Sequence, residues 1–397
     1  MKKLIFVLTL ICLAVFSLSC EKEIPASVEM TDAPTEIVEE PIIEIPPASV
    51  SFIACGDNIT YGTKDARSKA FEGGRQYNFK PQYKEVQGMI EEADIAFINQ
   101  EVPMASNYPL SYYPRFNAPQ ELGLDLVEMG YDVVNIATNH MLDKNADGLQ
   151  STIDFWKSLD TLMIGGYENR EDFDTIRTLE KNGITFAFLS YTEMTNGLFI
   201  SPSSSIVVPY INDEDIIRQS ALAKEVADFV IVSVHWGNEG AFVPSDEQRR
   251  VAQLFADCGV DVVVGHHPHV LQPIEWINGD NGEKCLCIFS LGNFVAQQEY
   301  DFNAVGGIVE LEFMKKENGD KWIETVLFHP TVFHFADTFY TNCVYFMDDY
   351  TEELSKNHGV SKYYGNSFKY EKLIKYAKET ISEEFLTENF VEVFREY

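Results

Sequence analysis

The sequence predicts an α/β fold whose sheet is parallel at its centre and becomes antiparallel at one edge. Apolar runs of strand length alternate along the chain with stretches of helical periodicity, which is typical of parallel strands joined by crossover helices. After residue 271 such runs follow one another through turn-rich sequence, which is typical of hairpins. Residues from about 50 to 397 are enough for one large core or two modest ones.

The predicted strands are apolar runs rich in β-branched and aromatic residues. Residues 260–265, Val-Asp-Val-Val-Val-Gly, are typical of a strand that is buried on both faces. Before this run, strands are predicted at 50–55, 94–99, 132–137, 162–164, 184–190 and 229–234. After it, strands are predicted at 271–277, 284–291, 305–313 and 322–330. The sequence Asn-Gly-Asp-Asn-Gly between the first two of these predicts a hairpin turn.

Five stretches between the strands are predicted as helices, at 81–92, 119–129, 146–159, 213–227 and 245–258. The last of them begins with Ser245, a residue type that caps a helix N-terminus by accepting a hydrogen bond from a backbone N–H. The tail from residue 350 to residue 397 carries mixed charge at helical spacing. We expect this tail to form helices that pack on the body.

The N-terminus predicts export. Two basic residues, Lys2 and Lys3, precede an apolar run that ends near residue 18 and is too short to span a membrane as a mature helix. With Cys20 after it, the pattern is typical of a bacterial lipoprotein signal peptide at residues 1–19, with Cys20 as the lipidated residue. The protein would then be anchored to the cell membrane and face the extracellular side. An ordinary secretory signal with a chance cysteine is the alternative.

Acidic residues and prolines recur through residues 20–49, which predicts an extended, solvated linker. The formal net charge of the whole chain is −32. Such an excess of acid argues against nucleic acid as a partner, because neutralising phosphates requires lysine and arginine. The cysteines beyond the linker lie mostly in apolar runs, which favours buried thiols over a disulfide framework.

Candidate metal ligands stand at five of the predicted strand ends. In an α/β sheet the carboxyl ends of parallel strands meet at one crevice, so these side chains are expected to converge. Each residue alone has an ordinary explanation as a turn former or a solvated side chain, but their joint occurrence favours a metal centre. Carboxylate, amide and imidazole together suit Mn, Zn or Fe ions better than Ca. The residues are Asp57, Glu101, Asn139 with His140, His235, and the group His266, His267 and His269.

Six motifs carry a resemblance to a known family. They are, in chain order, Gly56-Asp57, Asn99-Gln100-Glu101, Ala137-Thr138-Asn139-His140 with Asp143 and Gly148, His235-Trp236-Gly237-Asn238-Glu239, Gly265-His266-His267-Pro268-His269-Val270, and Ser290-Leu291-Gly292-Asn293-Phe294. Together they resemble the capsule-synthesis protein CapA family, which is linked to poly-γ-glutamate capsules. The resemblance implies a metallophosphoesterase-like layered α/β sandwich with mixed sheets at residues 50–300. Residues 301–397 would add strands that complete this domain and a helical C-terminal extension.

The resemblance also implies which residues hold metal. Asp57 would be a ligand of a first ion, and Glu101 would bridge it to a second. Asn139 and His235 would bind the second ion. The pair His267 and His269 would complete the set, with His266 as a possible replacement for one of them. One or two divalent ions are implied, and they would activate a water and polarise a phosphoryl or carbonyl oxygen.

The remaining roles concern proton transfer and support. The resemblance makes His140 the general acid and Asp143 the residue that fixes its tautomer. Further candidates for metal binding or for supporting a ligand are Asn58, Glu239, His266 and Asn293. His329, His334 and His358 lie outside the strand-end set and are expected to be structural or solvated.

Departures from the catalytic metallophosphoesterase pattern leave two functions open. Asp57 is followed by Asn58 and Ile59 where the pattern has Asp-x-His, and Asn99-Gln100-Glu101 replaces Gly-Asp-x-x-Asp. In the segment Phe116-Asn117-Ala118-Pro119 no arginine precedes Ala-Pro, where the family tends to have one. The first hypothesis is a metal-dependent hydrolase acting on a phosphoester or on an amide of a polyglutamate chain. The second is a non-catalytic assembly or export factor that binds an anionic capsule polymer, beside polymer synthase subunits if these exist.

Overall fold

The computed structural model describes residues 46–59, 75–280, 282–336 and 342–397. The predicted signal peptide, the lipidation site Cys20 and the linker as far as residue 45 lie outside the described residues. Within the described ranges, no helix combines the length and apolar composition needed to cross a bilayer. The first strand begins at Ala48, two residues before the predicted domain boundary.

The described strands are, in chain order, β1 (Ala48–Asn58), β2 (Ile95–Gln100), β3 (Val133–Asn135), β4 (Leu162–Ile164), β5 (Arg177–Lys181), β6 (Ile184–Thr192), β7 (Phe229–His235), β8 (Val262–His266), β9 (Leu271–Asn278), β10 (Lys284–Leu291), β11 (Asn293–Val295), β12 (Val305–Lys315), β13 (Lys321–His334) and β14 (Cys343–Phe346). Every strand predicted from the sequence is present. Strands β5, β11 and β14 were not predicted, and β13 continues beyond its predicted end.

The described α-helices are α1 (Gln87–Glu92), α2 (Gln120–Glu128), α3 (Asn145–Lys157), α4 (Arg170–Asp174), α5 (Asp213–Val226), α6 (Asp246–Asp257), α7 (Glu352–Lys356), α8 (Tyr370–Thr380) and α9 (Glu388–Val393). Helix α6 begins as expected, because Ser245 and Gln248 form a reciprocal capping box. The predicted helix at 81–92 is shorter, because its first residues form a separate 3₁₀ turn at Lys80–Gln82. The tail is helical, which confirms the predicted C-terminal extension.

The strands form two mixed sheets. In the first, the order is β14-β13-β12-β1-β2-β3-β4, with β1 to β4 parallel and β12 to β14 antiparallel. The short strand β11 pairs in parallel with the end of β1. In the second sheet the order is β5-β6-β7-β8-β10-β9, with β5 and β9 antiparallel at its two edges. The carboxyl ends of β1, β2, β7 and β8 are therefore the ends of parallel strands.

The inner faces of the two sheets pack on each other. Phe313 of β12 places its ring 5.0 Å from that of Phe186 and 4.7 Å from that of Phe229, between centroids. Edge-to-face pairs of this kind contribute about 0.5–1.5 kcal/mol each beyond the burial of their area. On the outer face of the second sheet, α5 and α6 bury a separate apolar cluster that includes Val251 and Phe255. The predicted fold class, a layered α/β sandwich with mixed sheets, is confirmed.

All five cysteines in the described residues are free, and four of them are buried. The prediction of buried thiols rather than a disulfide framework is thus correct for this part of the chain. Burial raises the pKa of the Cys55 thiol to about 12, so this thiol is neutral and unreactive at ordinary pH.

Candidate metal centre

The predicted ligands converge where the two sheets meet. Asp57 is the last residue but one of β1 and Glu101 directly follows β2, whereas His235 ends β7 and the histidine loop follows β8. Two sets of donor atoms each lie within 4.8 Å of one another, namely Asp57 with Glu101 and His235, and Glu101 with His267 and His269. Glu101 belongs to both sets. The first sheet therefore supplies the carboxylates and the second supplies the imidazoles.

Asp57 is held by both sheets. Its Oδ2 accepts a hydrogen bond from Nδ1 of His269 at 2.9 Å and lies 3.2 Å from the donating backbone N–H of His267. Its Oδ1 accepts from Nδ2 of Asn99 at 2.8 Å. Nδ1 of His266 lies 3.6 Å from that same oxygen, beyond hydrogen-bond distance. The carboxylate is thus fixed in orientation from three sides.

The histidine loop turns sharply to bring its side chains inward. His267 and His269 have φ values of 95° and 55°, a backbone region that non-glycine residues rarely adopt. Such residues cost about 1–3 kcal/mol each and persist where the surroundings fix them. Gly265 allows the approach, because a Cβ there would lie 2.1 Å from the carbonyl oxygen of Phe289 on β10. The strain is located at the proposed ligands themselves.

Glu101 is the least satisfied polar group of the centre. The residue is 1% exposed, and neither carboxylate oxygen has a hydrogen-bond partner among the described residues. The nearest imidazole nitrogens are Nε2 of His269 at 3.7 Å and Nε2 of His235 at 3.8 Å. Nδ1 of His235 and Nδ1 of His267 are also buried without a partner in the described structure. Buried polar atoms are nearly always hydrogen-bonded, so this concentration of unpaired donors and acceptors calls for a ligand.

The local electrostatics differ between the imidazoles. Burial lowers the pKa of His267 to about 3 and the pKa of His235 well below its ordinary value, so both rings are neutral and able to donate a lone pair. Burial opposes protonation of His269 too, but the Glu101 and Asp57 carboxylates outweigh it and raise the pKa of His269 to about 9. Burial also raises the pKa of Glu101 well above its ordinary value. A cation placed among these groups would compensate the buried carboxylates.

Burial alone would raise the pKa of Asp57. Interactions with the His266 and His269 rings outweigh that effect and hold this pKa well below its ordinary value. Asp57 is therefore ionised, which is the form that binds metal.

Asn139 and His140 extend the centre toward solvent. Oδ1 of Asn139 lies 3.1 Å from Nε2 of His235, so the amide reaches the ligand set. Nδ1 of His140 donates to Oδ2 of Asp143 at 2.8 Å, and that oxygen also accepts from the backbone N–H of Phe116 at 2.7 Å. Asp143 is thus fixed, and it fixes the His140 ring in turn. This is the positional relationship that the sequence predicted for the general acid and its partner.

Three further candidates occupy different positions. Asn58 points away from the ligand set, because its amide donates to Oε1 of Gln100 at 2.7 Å and accepts from the hydroxyl of Tyr83 at 2.8 Å. Nδ2 of Asn293 donates to the backbone carbonyl of Asn303 at 2.8 Å and supports the loop behind His269. Glu239 is exposed and lies in the groove beside the centre.

His266 is fully buried, and its ring stacks on Phe97 of β2 with 5.9 Å between centroids. Neither of its ring nitrogens has a hydrogen-bond partner in the described structure. Neither group of converging donor atoms includes it, whereas both His267 and His269 belong to one. The geometry therefore favours His267 and His269 as the ligand pair.

Sequence reasoning missed a buried chain of hydrogen bonds behind Asp57. Nδ2 of Asn135 donates to Oδ1 of Asn99 at 2.7 Å, and Oγ of Ser190 donates to Oδ1 of Asn135 at 2.5 Å. Asn99 itself donates to Asp57, so the chain links β1, β2 and β3 of one sheet to β6 of the other. The signal available in the sequence was a polar residue within an apolar run, namely Asn135 in residues 132–137 and Ser190 in residues 184–190.

Asn196 was also missed. Its Oδ1 accepts from Nδ2 of Asn139, and its Nδ2 lies near Nδ1 of His140, at 3.4 Å in each case. It lies in the loop after β6 and has a φ of 50°. No motif around it distinguishes it from the other residues of that loop.

The chain is similar to known capsule synthesis proteins. The family described as bacterial capsule synthesis protein PGA_cap matches residues 51–298. The PGA biosynthesis protein CapA of Bacillus subtilis (strain 168) is 34% identical over 195 residues, which are 49% of this chain and 50% of that protein. The capsule biosynthesis protein CapA of Bacillus anthracis is 29% identical over 253 residues, which are 62% of this chain and 60% of that protein. The match thus spans half to three-fifths of the length of these relatives.

Two solved structures are similar to this chain at low sequence identity. The Haemophilus influenzae NAD nucleotidase (NadN) matches with a TM-score of 0.46 and 12% identity, over 88% of this chain and 67% of that chain. A 5'-nucleotidase precursor from Thermus thermophilus matches with a TM-score of 0.43 and 13% identity, over 83% and 59% respectively. Because the family match covers more than half of the sequence and contains every proposed ligand, this chain belongs to the bacterial capsule synthesis protein family PGA_cap.

Proposed function

We propose that this protein is a cell-surface lipoprotein that takes part in the synthesis or export of a poly-γ-glutamate capsule, and that its cleft is a metal-dependent hydrolase centre. Family membership and the names of the two Bacillus relatives support the capsule role. One observation supports the hydrolase role above all others. Glu101 is a buried carboxylate with both oxygens unpaired among the described residues, and it faces two imidazoles that also converge with Asp57 and His267.

The residues present fit a divalent transition-metal ion. Asp57, Glu101, Asn139, His235, His267 and His269 would hold one or two ions of Mn, Zn or Fe. A bound ion of this kind polarises a phosphoryl or carbonyl oxygen and lowers the pKa of a coordinated water. Glu101 lies in both groups of converging atoms, so it is the residue best placed to be shared by two ions.

His140 would manage the proton of the leaving group. Its Nδ1–H donates to Asp143, which leaves Nε2 as the nitrogen that gains or gives a proton. The protonated ring can donate that proton to the leaving oxygen or nitrogen. His140 is 8% exposed, whereas the metal ligands are more deeply buried, so it lies on the substrate side of the centre.

A binding-only role is the alternative, and one observation favours it. The position where catalytic metallophosphoesterases have a histidine ligand is Ile59, and the intervening Asn58 is engaged with Gln100 and Tyr83. The first metal position is therefore short of one ligand. In this alternative the centre binds an anionic capsule polymer during assembly or export without cleaving it.

Hydrolysis by purified protein separates the two functions. Bis(p-nitrophenyl) phosphate and γ-glutamyl-p-nitroanilide would be offered to the mature chain and to the Asp57→Ala and His267→Ala variants, with Mn²⁺ or Zn²⁺ supplied. The catalytic function predicts turnover that both substitutions abolish. His329→Gln is the matched control, because His329 bonds Glu310 on β12, away from the centre. Full capsule production by cells that carry either centre variant would contradict the catalytic function.

The lipid anchor is tested separately. We expect Cys20→Ala to move the protein from the membrane fraction to the medium or periplasm, and to abolish incorporation of a palmitate analogue. Unchanged membrane association in that variant would instead favour an ordinary secretory signal with some other means of attachment.

A further inference from the structure

A groove of about 710 Å³ opens directly beside the metal centre. His269, a proposed ligand, lies in its wall, and Glu239 and Gly240 of the loop after β7 form part of the same wall. This volume is within the range of sites that bind small molecules. Anything bound at the centre through His269 would therefore extend into this groove.

Exposed aromatic rings line the groove. Tyr113, Tyr300 and Tyr364 contribute to its wall and are 73%, 45% and 44% exposed. Exposed tyrosine rings of this kind offer a face of negative electrostatic potential to a ligand. Two of the rings are held in place, because the Tyr364 hydroxyl donates to the carbonyl of Gln297 at 3.0 Å and the Tyr300 ring stacks on Phe302 with 5.1 Å between centroids. The aromatic surface is thus preformed.

The charge of the groove is negative. Glu239 and Glu299 both line it, and no lysine or arginine does so among the described residues. Glu239 and His269 both line the groove, so the negative charge of Glu239 lies beside the metal centre. A polyanion would be repelled along this path, whereas a cation would be attracted both by the carboxylates and by the ring faces.

We propose that the groove binds an ammonium group carried by the substrate, while the reacting anionic or carbonyl group lies at the metal centre. This inference rests on the proposed function and specifies its substrate class as zwitterionic. Glu239 and Glu299 pair with the ammonium charge, and the faces of Tyr300 and Tyr364 cover it. In a polymer of γ-linked glutamate only the amino-terminal residue carries an ammonium group. The centre would therefore act at that end of a chain rather than along its length.

Two probes of equal shape test the inference by equilibrium binding. Phosphocholine carries a phosphate and a quaternary ammonium group, and neohexyl phosphate replaces the nitrogen with carbon. Calorimetry would measure the Kd of each for full-length protein purified in a maltoside detergent and loaded with Mn²⁺. We expect phosphocholine to bind about tenfold more tightly, as a cation between carboxylates and aromatic rings should. We expect Glu239→Gln to lower the ratio of the two Kd values by weakening the binding of phosphocholine, without weakening the binding of neohexyl phosphate.

The outcomes are distinguishable. Equal affinity of the two probes for the unsubstituted protein would overturn the inference and leave the metal centre intact. Equal weakening of both probes in Glu239→Gln would assign Glu239 to metal binding and would also overturn it. If neither probe binds, the result would overturn both the inference and the anion-binding centre of the proposed function. Glu275→Gln is the matched control, because Glu275 pairs with Arg249 on the surface of α6 and β9.

Discussion

Replacing Glu101 with glutamine tests the ligand set without changing the shape of the side chain. In the metal-free protein the carboxylate is buried, its oxygens have no hydrogen-bond partner among the described residues, and the nearest imidazole nitrogens are 3.7 and 3.8 Å away. Burial raises the pKa of Glu101 well above its ordinary value, so folding at neutral pH either buries an unpaired charge or takes up a proton, and both lower the stability of the folded protein. A glutamine side chain is neutral and does not have this cost. We therefore expect Glu101→Gln to raise the free energy of unfolding of metal-free protein by about 1–3 kcal/mol.

Metal should stabilise the unsubstituted protein more than the variant. An ion that binds only the folded state stabilises it by about 2.7 kcal/mol when its free concentration is 100 times its Kd. The glutamine amide is a weaker ligand than a carboxylate for a divalent cation, so the variant should gain less than half of this. The variant should thus melt above the unsubstituted protein in EDTA, and excess Mn²⁺ or Zn²⁺ should raise its melting temperature less than half as much as that of the unsubstituted protein.

Differential scanning calorimetry of EDTA-treated protein, with and without added metal, measures both parts of this prediction. Each kcal/mol corresponds to roughly 2–4 °C in Tm for a domain of about 200 residues and to somewhat less here. Glu275→Gln makes the same chemical change in a surface ion pair, which contributes little, and should leave both melting temperatures nearly unchanged. A Glu101→Gln variant that is less stable without metal, and that gains as much from metal as the unsubstituted protein, would refute the reasoning.

Two further predictions concern histidines in different roles. Asp143→Asn should lower the hydrolysis rate by about 10–100-fold and leave the metal content unchanged, because Asp143 orients His140 without contacting the proposed ligands. Steady-state kinetics measures the first result and elemental analysis measures the second. His358 is buried, donates through Nε2 to the carbonyl of Phe333 and accepts at Nδ1 from the N–H of Val360, and burial lowers its pKa to about 3. As pH falls below about 6.5, the unfolded chain binds a proton that the folded protein does not, so His358 removes about 1.5 kcal/mol of stability between pH 6.5 and pH 5. Urea unfolding at both pH values should show this loss reduced in His358→Gln, and an unchanged loss would contradict the assignment.

The sequence predicted most of the strands, including the edge strands β4 and β9, and missed the short strands β5, β11 and β14. The run at 260–265 could be recognised because a strand covered on both sides has no polar alternation. Strand β5 is five residues long and mostly charged or polar, and β11 is three residues long, so neither has a distinguishable pattern. Their pairing depends on partners distant in sequence. The division of the strands between two sheets likewise depended on tertiary packing.

The site was predictable to the extent that it follows from strand ends. Asp57, Glu101 and His235 each close or directly follow a parallel strand, so the topology alone brings them to one edge. Asn58 was a candidate by proximity in sequence, but it follows Asp57 in β1 and successive side chains point to opposite faces of a strand. Ser190 reaches the support chain of Asp57 from the other sheet. Contacts across the sandwich of this kind cannot be inferred from spacing along the chain.

Metal content is the measurement that tests the central claim most directly. The mature protein and a His267→Ala/His269→Ala variant would be purified in parallel, supplied with Mn, Zn and Fe, and analysed by elemental mass spectrometry. The two substitutions remove the imidazoles of one group of converging donor atoms. The ligand set predicts one or two equivalents of a transition metal in the unsubstituted protein and their loss from a folded variant. No bound metal in the unsubstituted protein after supplementation, or equal metal in both proteins, would contradict the claim that this cleft is a metal centre.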